Sequence, residues 1–554
     1  MVEPFPSIER EMSRKGDEDF NPAIQLFGRR FFNDQTTSEL LLEFMLVATS
    51  SKRIRRREVD QTMLLPDLDL LQSWPDDARL EYAPKARLNL KLFAFINGSK
   101  LDTRHQAHKE HYRELIDALK SPNRLVICGG LEPNDVLRTL ENLLMGFQSV
   151  GGDRTWCAQA FLPVAKNLIG AETLWNETEA KRDSVRDWSA VVDRFLHFFS
   201  FGRHRFLARG GELLYLQLCN ALRTGKGVGQ AWLTSSGAGF SEEEGNPQTL
   251  HSALNESLLS IFSGSPATID DLAQFIDSCV ENTTSKKTDI DSKTDEPRFM
   301  SCGWCPAESW REGMLFAVEL LRLSRAAIDP IERLELLEIA CAMQVLRSLC
   351  AQAARYAPRP EDAAAAAGPL GYVWAISDPA GKHTAVKQIS RRNVNAVQRL
   401  IHDALRHPEI QAAYARCDPK DVDSAYAEAD RRYGHKLFLT VAKRLGLITP
   451  RRGAGARFVL NDRLLRYLVL STIRPGERVT YDSFKQLLFA HHGLAVDDQA
   501  VGQSCLWSGT SHLTTLGGKT DEWLLQMLDA SGVLVRLSDA CSLVTNPFGG
   551  DSSA

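Results

Sequence analysis

Residues 436–473 read KLFLTVAKRLGLITPRRGAGARFVLNDRLLRYLVLSTI, and the order of signals within them decides how the C-terminal third is built. Leu437, Val441 and Leu445 recur at helical spacing, and Gly446 follows as a C-terminal glycine should, so Lys436 to Leu445 is expected to be a helix. The period then changes. Leu447-Ile448-Thr449 and Phe458-Val459-Leu460 are short strand candidates, joined by a turn that carries Arg451, Arg452 and Arg457. Asn461-Asp462 supplies an N-cap, and Arg463 to Ile473 is expected to be the next helix.

Helix, glycine, strand, basic hairpin, strand resembles the winged-helix family. In such a unit one helix can enter the major groove while the hairpin lies against phosphates. A second helical segment spans Thr480 to His491. Glu522 to Ala530 is a third, followed by Gly532, Leu534-Val535-Arg536-Leu537, a turn at Ser538-Asp539, and Leu543-Val544-Thr545. The pattern therefore occurs twice, and the second copy lacks a basic hairpin.

Charge distribution points the same way. Residues 372 to 478 hold 20 Lys and Arg against 10 Asp and Glu, in a chain whose formal net charge is −4, so the remainder is acidic. Such a separation suits a protein of which one part meets phosphates and another meets proteins or solvent. Lys443, Arg444, Arg451, Arg452 and Arg457 are the expected nucleic-acid contacts, with duplex DNA as partner. Winged helices also dock proteins, and Arg on an exposed hairpin is often merely solvated.

At 554 residues the chain exceeds what one core usually serves, and roughly three to four domains of ~100 to 200 residues are expected. Helical spacing over Thr37–Ala48, Arg104–Leu119, Asn134–Phe147, Trp156–Leu168 and Trp188–Phe199 makes 1–234 a helical or mixed N-terminal domain. The alternating Arg87–Ile96 and the short apolar Arg124–Cys128 suggest a small α/β region near residues 80 to 150. Residues 235–300 read as flexible linkers around a short helical segment, because Ser235–Gln248 and Glu281–Pro297 lack an apolar period. Trp310–Ser324 and Pro330–Tyr356 make a helical hairpin within 301–356, and 357–371 is again linker-like. A basic winged-helix-like domain, 372–470, and a second such domain, 463–548, complete a mainly α, multidomain reading.

The opening twenty residues lack the basic start and apolar core of a secretory signal, and no stretch reaches the ~18 to 20 apolar residues that cross a bilayer. Eleven cysteines, an odd number, lie among apolar neighbours as reduced core thiols do. A cytoplasmic protein without membrane contact is expected.

Several chemistry-bearing patterns fall short of a site. Gly368 to Val373 followed by Ala385-Val386-Lys387 has the spacing of a kinase glycine loop and lysine, but neither an HRD-type loop nor a DFG Asp follows. A β-hairpin, Tyr372–Ile376 with Thr384–Ile389, is the expected structure there. Cys302-Gly-Trp-Cys305 has zinc or redox spacing, yet one pair lacks the further ligands or the strand–helix setting. His105, His108 and His111 cannot all face one ion on a helix. Gly225-Lys226-Gly227 follows a helix where a phosphate loop follows a strand, and Asp153 with Glu179 and Lys181 forms a short D…ExK pattern without strands around it. Lys52 to Arg57 is a second basic cluster, read as a solvated helix end in preference to a phosphate rim. No catalytic residue, metal ligand or cofactor is therefore assigned.

The layout, a long helical body with FGRRFFNDQTTSELLLEF at 27–44 and winged-helix-like units at the end, resembles the accessory subunits that bacterial phage-defence islands encode beside methylases, helicases and ATPases. The resemblance implies a non-catalytic DNA-contacting or assembly role inside a complex with other protein subunits. A protein-only scaffold and a metal-dependent nuclease assembled from distant carboxylates are the alternatives.

Overall fold

A computed structural model of the chain describes residues 21–28, 35–54, 57–58, 64–74, 79–83, 86–87, 171–172, 174–175, 199–200, 210–223, 226–261, 299–358, 360–414, 418–509, 520–538 and 541–549. These residues are mostly helical, with a few small sheets. The helices and strands expected within 88–168, the helix expected at 188–199 apart from its last residue, the His105–His111 triplet, Asp153, Glu179, Lys181 and Glu281–Pro297 lie outside them.

In chain order the body begins with α1 (Pro22–Phe27), α2 (Thr37–Thr49), β1 (Ser51–Ile54), β2 (Arg57–Glu58), α3 (Leu68–Gln72) and β3 (Leu80–Ala83). The two-residue strands β4 (Ala86–Arg87) and β5 (Ala171–Glu172) pair in parallel, and β6 (Leu174–Trp175) pairs antiparallel with β7 (Phe199–Ser200). Then come α4 (Gly210–Arg223), α5 (Lys226–Ser236), α6 (Glu242–Gly245), α7 (Pro247–Ser260), β8 (Met300–Ser301), α8 (Trp310–Arg325) and α9 (Pro330–Tyr356). Strand β1 lies between β2 and β3, and β8 closes the other edge, with Arg53 opposite Glu81 and Tyr82 opposite Met300.

Local signals account for the helix limits. Thr36 caps α2 in a capping box, its hydroxyl accepting from the Glu39 amide while Glu39 returns a bond to the Thr36 amide. Asp329 caps α9 by accepting from the Ile331 and Glu332 amides, with Pro330 at the first helical position. The core of the body is the packing of α2, α4, α8 and α9. Gly313 on α8 lets that helix approach α4 closely, since a Cβ there would sit 2.3 Å from the Gln217 carbonyl oxygen. Phe44, Tyr215 and Phe316 meet in the space so formed, with ring centroids about 6 Å apart.

The C-terminal third continues through α10 (Glu361–Ala365), β9 (Trp374–Ala375), α11 (Thr384–Ala404), α12 (Pro408–Ala413), α13 (Pro419–Glu428), α14 (His435–Leu445), β10 (Ile448–Thr449), β11 (Arg457–Phe458) and α15 (Asp462–Thr472). It ends with β12 (Arg478–Thr480), α16 (Tyr481–His492), β13 (Leu494–Ala495), α17 (Asp498–Trp507), α18 (Glu522–Ala530), β14 (Leu534–Arg536) and β15 (Ser542–Thr545). Strands β12, β15 and β14 form an antiparallel sheet in that spatial order, and β9 pairs in parallel with β13.

Three expectations change. The segment expected to pair as Tyr372–Ile376 with Thr384–Ile389 is not a hairpin, because Thr384 opens the 21-residue helix α11, whose Val386, Ser390, Val394, Val397 and Ile401 form one buried stripe. Residues 372–470 and 463–548 are not separate packing units: β9 of the first pairs with β13 of the second, and one hydrophobic cluster runs from Ala23 to Val544. The stretches 235–248 and 357–371 are not bare linkers either. The first contains α6 and the start of α7, with Glu244 buried, and the second contains α10 with Ala363 buried.

Buried charge pairs tie the body to the C-terminal third. Both Glu319 oxygens, on α8, accept from the Arg347 guanidinium on α9 at 2.7 and 2.6 Å, and Tyr467 on α15 adds a bond of 2.9 Å. His491 on α16 faces Glu319 through Nδ1 at 3.2 Å and the Ala238 carbonyl through Nε2 at 2.8 Å. Arg322 on α8 pairs with Glu244 at 2.8 Å and donates to the Thr472 carbonyl at the end of α15. Burial alone would raise the Glu319 carboxyl, but Arg347 beside it holds it well below the usual range. Glu244 is likewise drawn down to about 2, its desolvation outweighed by the Arg322 hydrogen bonds.

Candidate nucleic-acid interface

Helix α14 turns Leu437, Phe438, Val441 and Ala442 inward, which leaves Lys436 and Arg444 exposed and Lys443 half-buried. It stops at Gly446, whose φ of +75° is the left-handed conformation that costs glycine little. Asn461 then joins two helices: its Nδ2 donates to the Leu445 carbonyl at 2.9 Å, and its Oδ1 accepts the Leu464 amide at 2.8 Å as the cap of α15. Helix and strands are thus fixed at both ends of the hairpin.

Strands β10 and β11 pair with Ile448 opposite Phe458 and Thr449 opposite Arg457. Phe458 packs into an aromatic cluster with Trp374 and Phe438, so the base of the hairpin is anchored while Arg451, Arg452, Gly453 and Ala454 at its tip are exposed. No carboxylate among the described residues pairs with Arg451, Arg452 or Lys443.

The five sequence-predicted cations therefore separate. Arg451, Arg452 and Lys443 keep free charged ends. Arg444 donates to the Gln35 carbonyl at 2.6 Å and so leans on the N-terminal body. Arg457, expected on a phosphate, is buried instead. Its Nη1 donates to Ser377 Oγ at 2.8 Å and to the Asp378 carbonyl, and its Nη2 to the Pro379 carbonyl at 2.9 Å. Burial lowers its pKa, and Asp378 opposes that shift while Arg391 adds to it. Pairing opposite Thr449 turned this side chain onto the loop after β9, a placement that spacing alone does not reveal.

A cleft of about 760 Å³ opens beside the hairpin. Lys382, His383 and Arg451 line one side, with Glu522, Trp523 and Gln526 of α18 on the other. The second hairpin, β14–β15, is different in kind: Arg536 pairs with Asp529 at 2.9 Å, and Val535 and Leu537 are exposed at 42% and 61%.

The remaining patterns resolve in structural terms. Lys52 lies buried in β1, with Nζ donating to the Val47, Ala48 and Ser50 carbonyls at the end of α2, while Arg53 pairs with Glu81 and lies over the Phe299 ring. Lys387 stands on helix α11 and not on a strand. In the Cys302–Cys305 pair, burial pushes the Cys305 thiol up to about 12, which opposes a reactive thiolate. One group with metal-ligand spacing occurs among the described residues, Glu319 with His491 and His492, all fully buried. Arg347 and Tyr467 already occupy both Glu319 oxygens, and a dication would stand beside a buried guanidinium, so the donor set fits a charge-balanced polar network better than a metal. That network was missed in the sequence because its members come from four helices, with only the His491-His492 pair adjacent.

No known protein family model, curated protein or solved structure matches this chain. Among the described residues no helix is long and apolar enough to cross a membrane. Chemically, the hairpin and its flank offer fixed positive charge without a nucleophile or general base at the tip, an arrangement suited to holding an anion.

Proposed function

We propose that this protein is a non-catalytic DNA-binding subunit that meets the phosphates of duplex DNA through Arg451, Arg452 and Lys443. The observation that carries the reading is the pair of exposed hairpin arginines, without carboxylate partners among the described residues, mounted on an anchored strand pair directly after helix α14. The winged-helix reading is supported by the order α15, β12, α16, β13, α17, α18, β14, β15 and by the return of β15 between β12 and β14. A place in a larger DNA-handling assembly, of the kind phage-defence islands encode, is part of the same proposal and rests on the resemblance in layout.

The test is fluorescence anisotropy of a labelled DNA duplex with the full chain and with Arg451→Ala/Arg452→Ala, at ~50 and ~200 mM salt. Three phosphate contacts would weaken binding by about 40-fold across that range, and loss of two should lower the slope of log affinity against log salt by about 2. Absence of binding at low salt overturns the reading. Arg457 is left intact in this test because its substitution would release the loop after β9.

A second reading, a scaffold that binds protein subunits, draws on the exposed Val535 and Leu537 of the β14–β15 hairpin, which carries no free cation. Salt-insensitive association with a partner protein, lost in Leu537→Asp, would favour it.

A further inference from the structure

The longest helix of the C-terminal third presents a face that the hairpin reading leaves unused. Over its 21 residues α11 carries Lys387, Arg391, Arg392 and Arg399, and its one acidic residue is Asp403 in the last turn. At 100° per residue, Arg391, Arg392 and Arg399 fall within a ~100° arc opposite the buried stripe. All three are exposed, and Lys387 is half-buried at the edge of the same face. No carboxylate among the described residues pairs with any of the four.

This face meets the hairpin directly. A Cβ at Gly455 would lie 2.9 Å from the Arg391 guanidinium, and one at Gly381 would lie 3.4 Å from both Lys387 Nζ and Arg457 Nη2. The like-charged groups Arg391 and Arg457 stand near enough that Arg391 further disfavours the charge on Arg457. Like charges held this close repel one another, and an anion beside the exposed Arg391 relieves that repulsion.

Because α11 rises 1.5 Å per residue, Lys387 to Arg399 spans about 18 Å, roughly five base-pair steps along one DNA strand. We infer that α11 continues the phosphate-contact surface of the hairpin, with Lys387, Arg391, Arg392 and Arg399 following the backbone of the same DNA duplex. The inference rests on the proposed DNA binding and extends it from a hairpin tip to a track. Contacts to phosphates position a protein without reading bases, so this contact is expected to be indifferent to base sequence.

The experiment measures anisotropy of labelled duplexes of ~8 and ~20 base pairs, from ~50 to ~300 mM salt, with the full chain, with Arg451→Ala/Arg452→Ala, and with Arg391→Ala/Arg392→Ala/Arg399→Ala. The α11 variant is expected to keep the wild-type urea midpoint, since none of the three side chains is buried or paired. Its salt slope should fall by roughly 2 to 3, at about 0.9 per lost contact, and its preference for the longer duplex should shrink. Binding by wild type that is weakened in the hairpin variant and unchanged in the α11 variant overturns this inference while sparing the hairpin reading. Absence of binding by wild type overturns both. Tighter binding of single-stranded DNA or of an RNA duplex of equal length overturns the assignment to duplex DNA. Arg391→Glu/Arg392→Glu provides a second variant, and it should abolish the measurable affinity at ~200 mM salt.

Discussion

Arginine is used in opposite ways in two regions of this molecule. At the junction of α8, α9, α15 and α16, Arg322 and Arg347 are 2% and 0% exposed, and each forks onto a carboxylate within 2.9 Å. On α11 and the β10–β11 hairpin, Arg391, Arg392, Arg399, Arg451 and Arg452 are exposed and pair with no carboxylate among the described residues. A buried guanidinium needs its counter-charge within the fold, because desolvating an unpaired ion costs several kcal/mol. A solvated one needs none, and so stays available to an anion from outside. Pairing, more than residue type or local charge count, separates the arginines that hold the fold from those that can serve a partner.

The sharpest way to break the comparison is Glu319→Ala. It strands Arg347 in the core and removes the acceptor of Tyr467 and His491, so a loss of about 3 to 5 kcal/mol is expected from urea unfolding. A shift below 1 kcal/mol would mean that the junction is not the charge-dependent seam described here. Arg391→Ala, by contrast, should leave the urea midpoint in place.

Gly313→Ala probes the packing beneath that seam. The added methyl would meet the Gln217 carbonyl at 2.3 Å, forcing α4 and α8 apart at a cost of about 1 to 3 kcal/mol by the same measurement. An unchanged urea midpoint would show that the two helices can separate freely.

Acidification tests the seam through His492. Burial holds its pKa down at about 3, with Arg347 and His491 adding to that effect and Glu319 opposing it. Below the ordinary value near 6.5 the unfolded chain takes up a proton that the folded chain refuses. Stability is therefore expected to fall as pH drops from about 6.5 towards 3, approaching ~1.4 kcal/mol per pH unit. Glu319 and Glu244, whose carboxyls are drawn down, add to the loss once pH passes below about 4.5. His492→Phe, compared with wild type at pH 7 and pH 5 in urea, should flatten the upper part of this profile; an identical slope would place the acid sensitivity elsewhere.

The smallest effect belongs to exposed pairs. Arg463 and Glu335 meet at 2.8 Å with 67% and 51% of their side chains exposed, and Arg463→Ala should change stability by no more than about 1 kcal/mol. A larger loss would blur the distinction between seam and surface.

Much of the local structure was legible in the chain. The helix ended by Gly446, the cap at Asn461, the hairpin between them and the Pro330–Tyr356 helix depend on signals a few residues apart. The expected hairpin at 372–389 failed because six residues, Thr384 to Ile389, are too few to separate a period of 2 from one of 3.6. The buried stripe of α11 becomes visible only when Ser390, Val394, Val397 and Ile401 are included. Of the site, the exposed Arg451-Arg452 pair could be found because it sits on a turn, whereas Arg457 could not be assigned to the interior without knowing which loop packs over β11.

The sequence by itself determined the mainly helical character, the element limits between Lys436 and Ile473 and the excess of positive charge in the C-terminal third, since caps, glycine stops and periodicity act over one or two turns. Tertiary structure decided which arginines are neutralised, that β9 pairs with β13 across an expected domain boundary, and that the cationic face of α11 abuts the basic hairpin. Those outcomes depend on which residues, distant along the chain, share one buried space, and desolvation there acts on charges according to their neighbours in space.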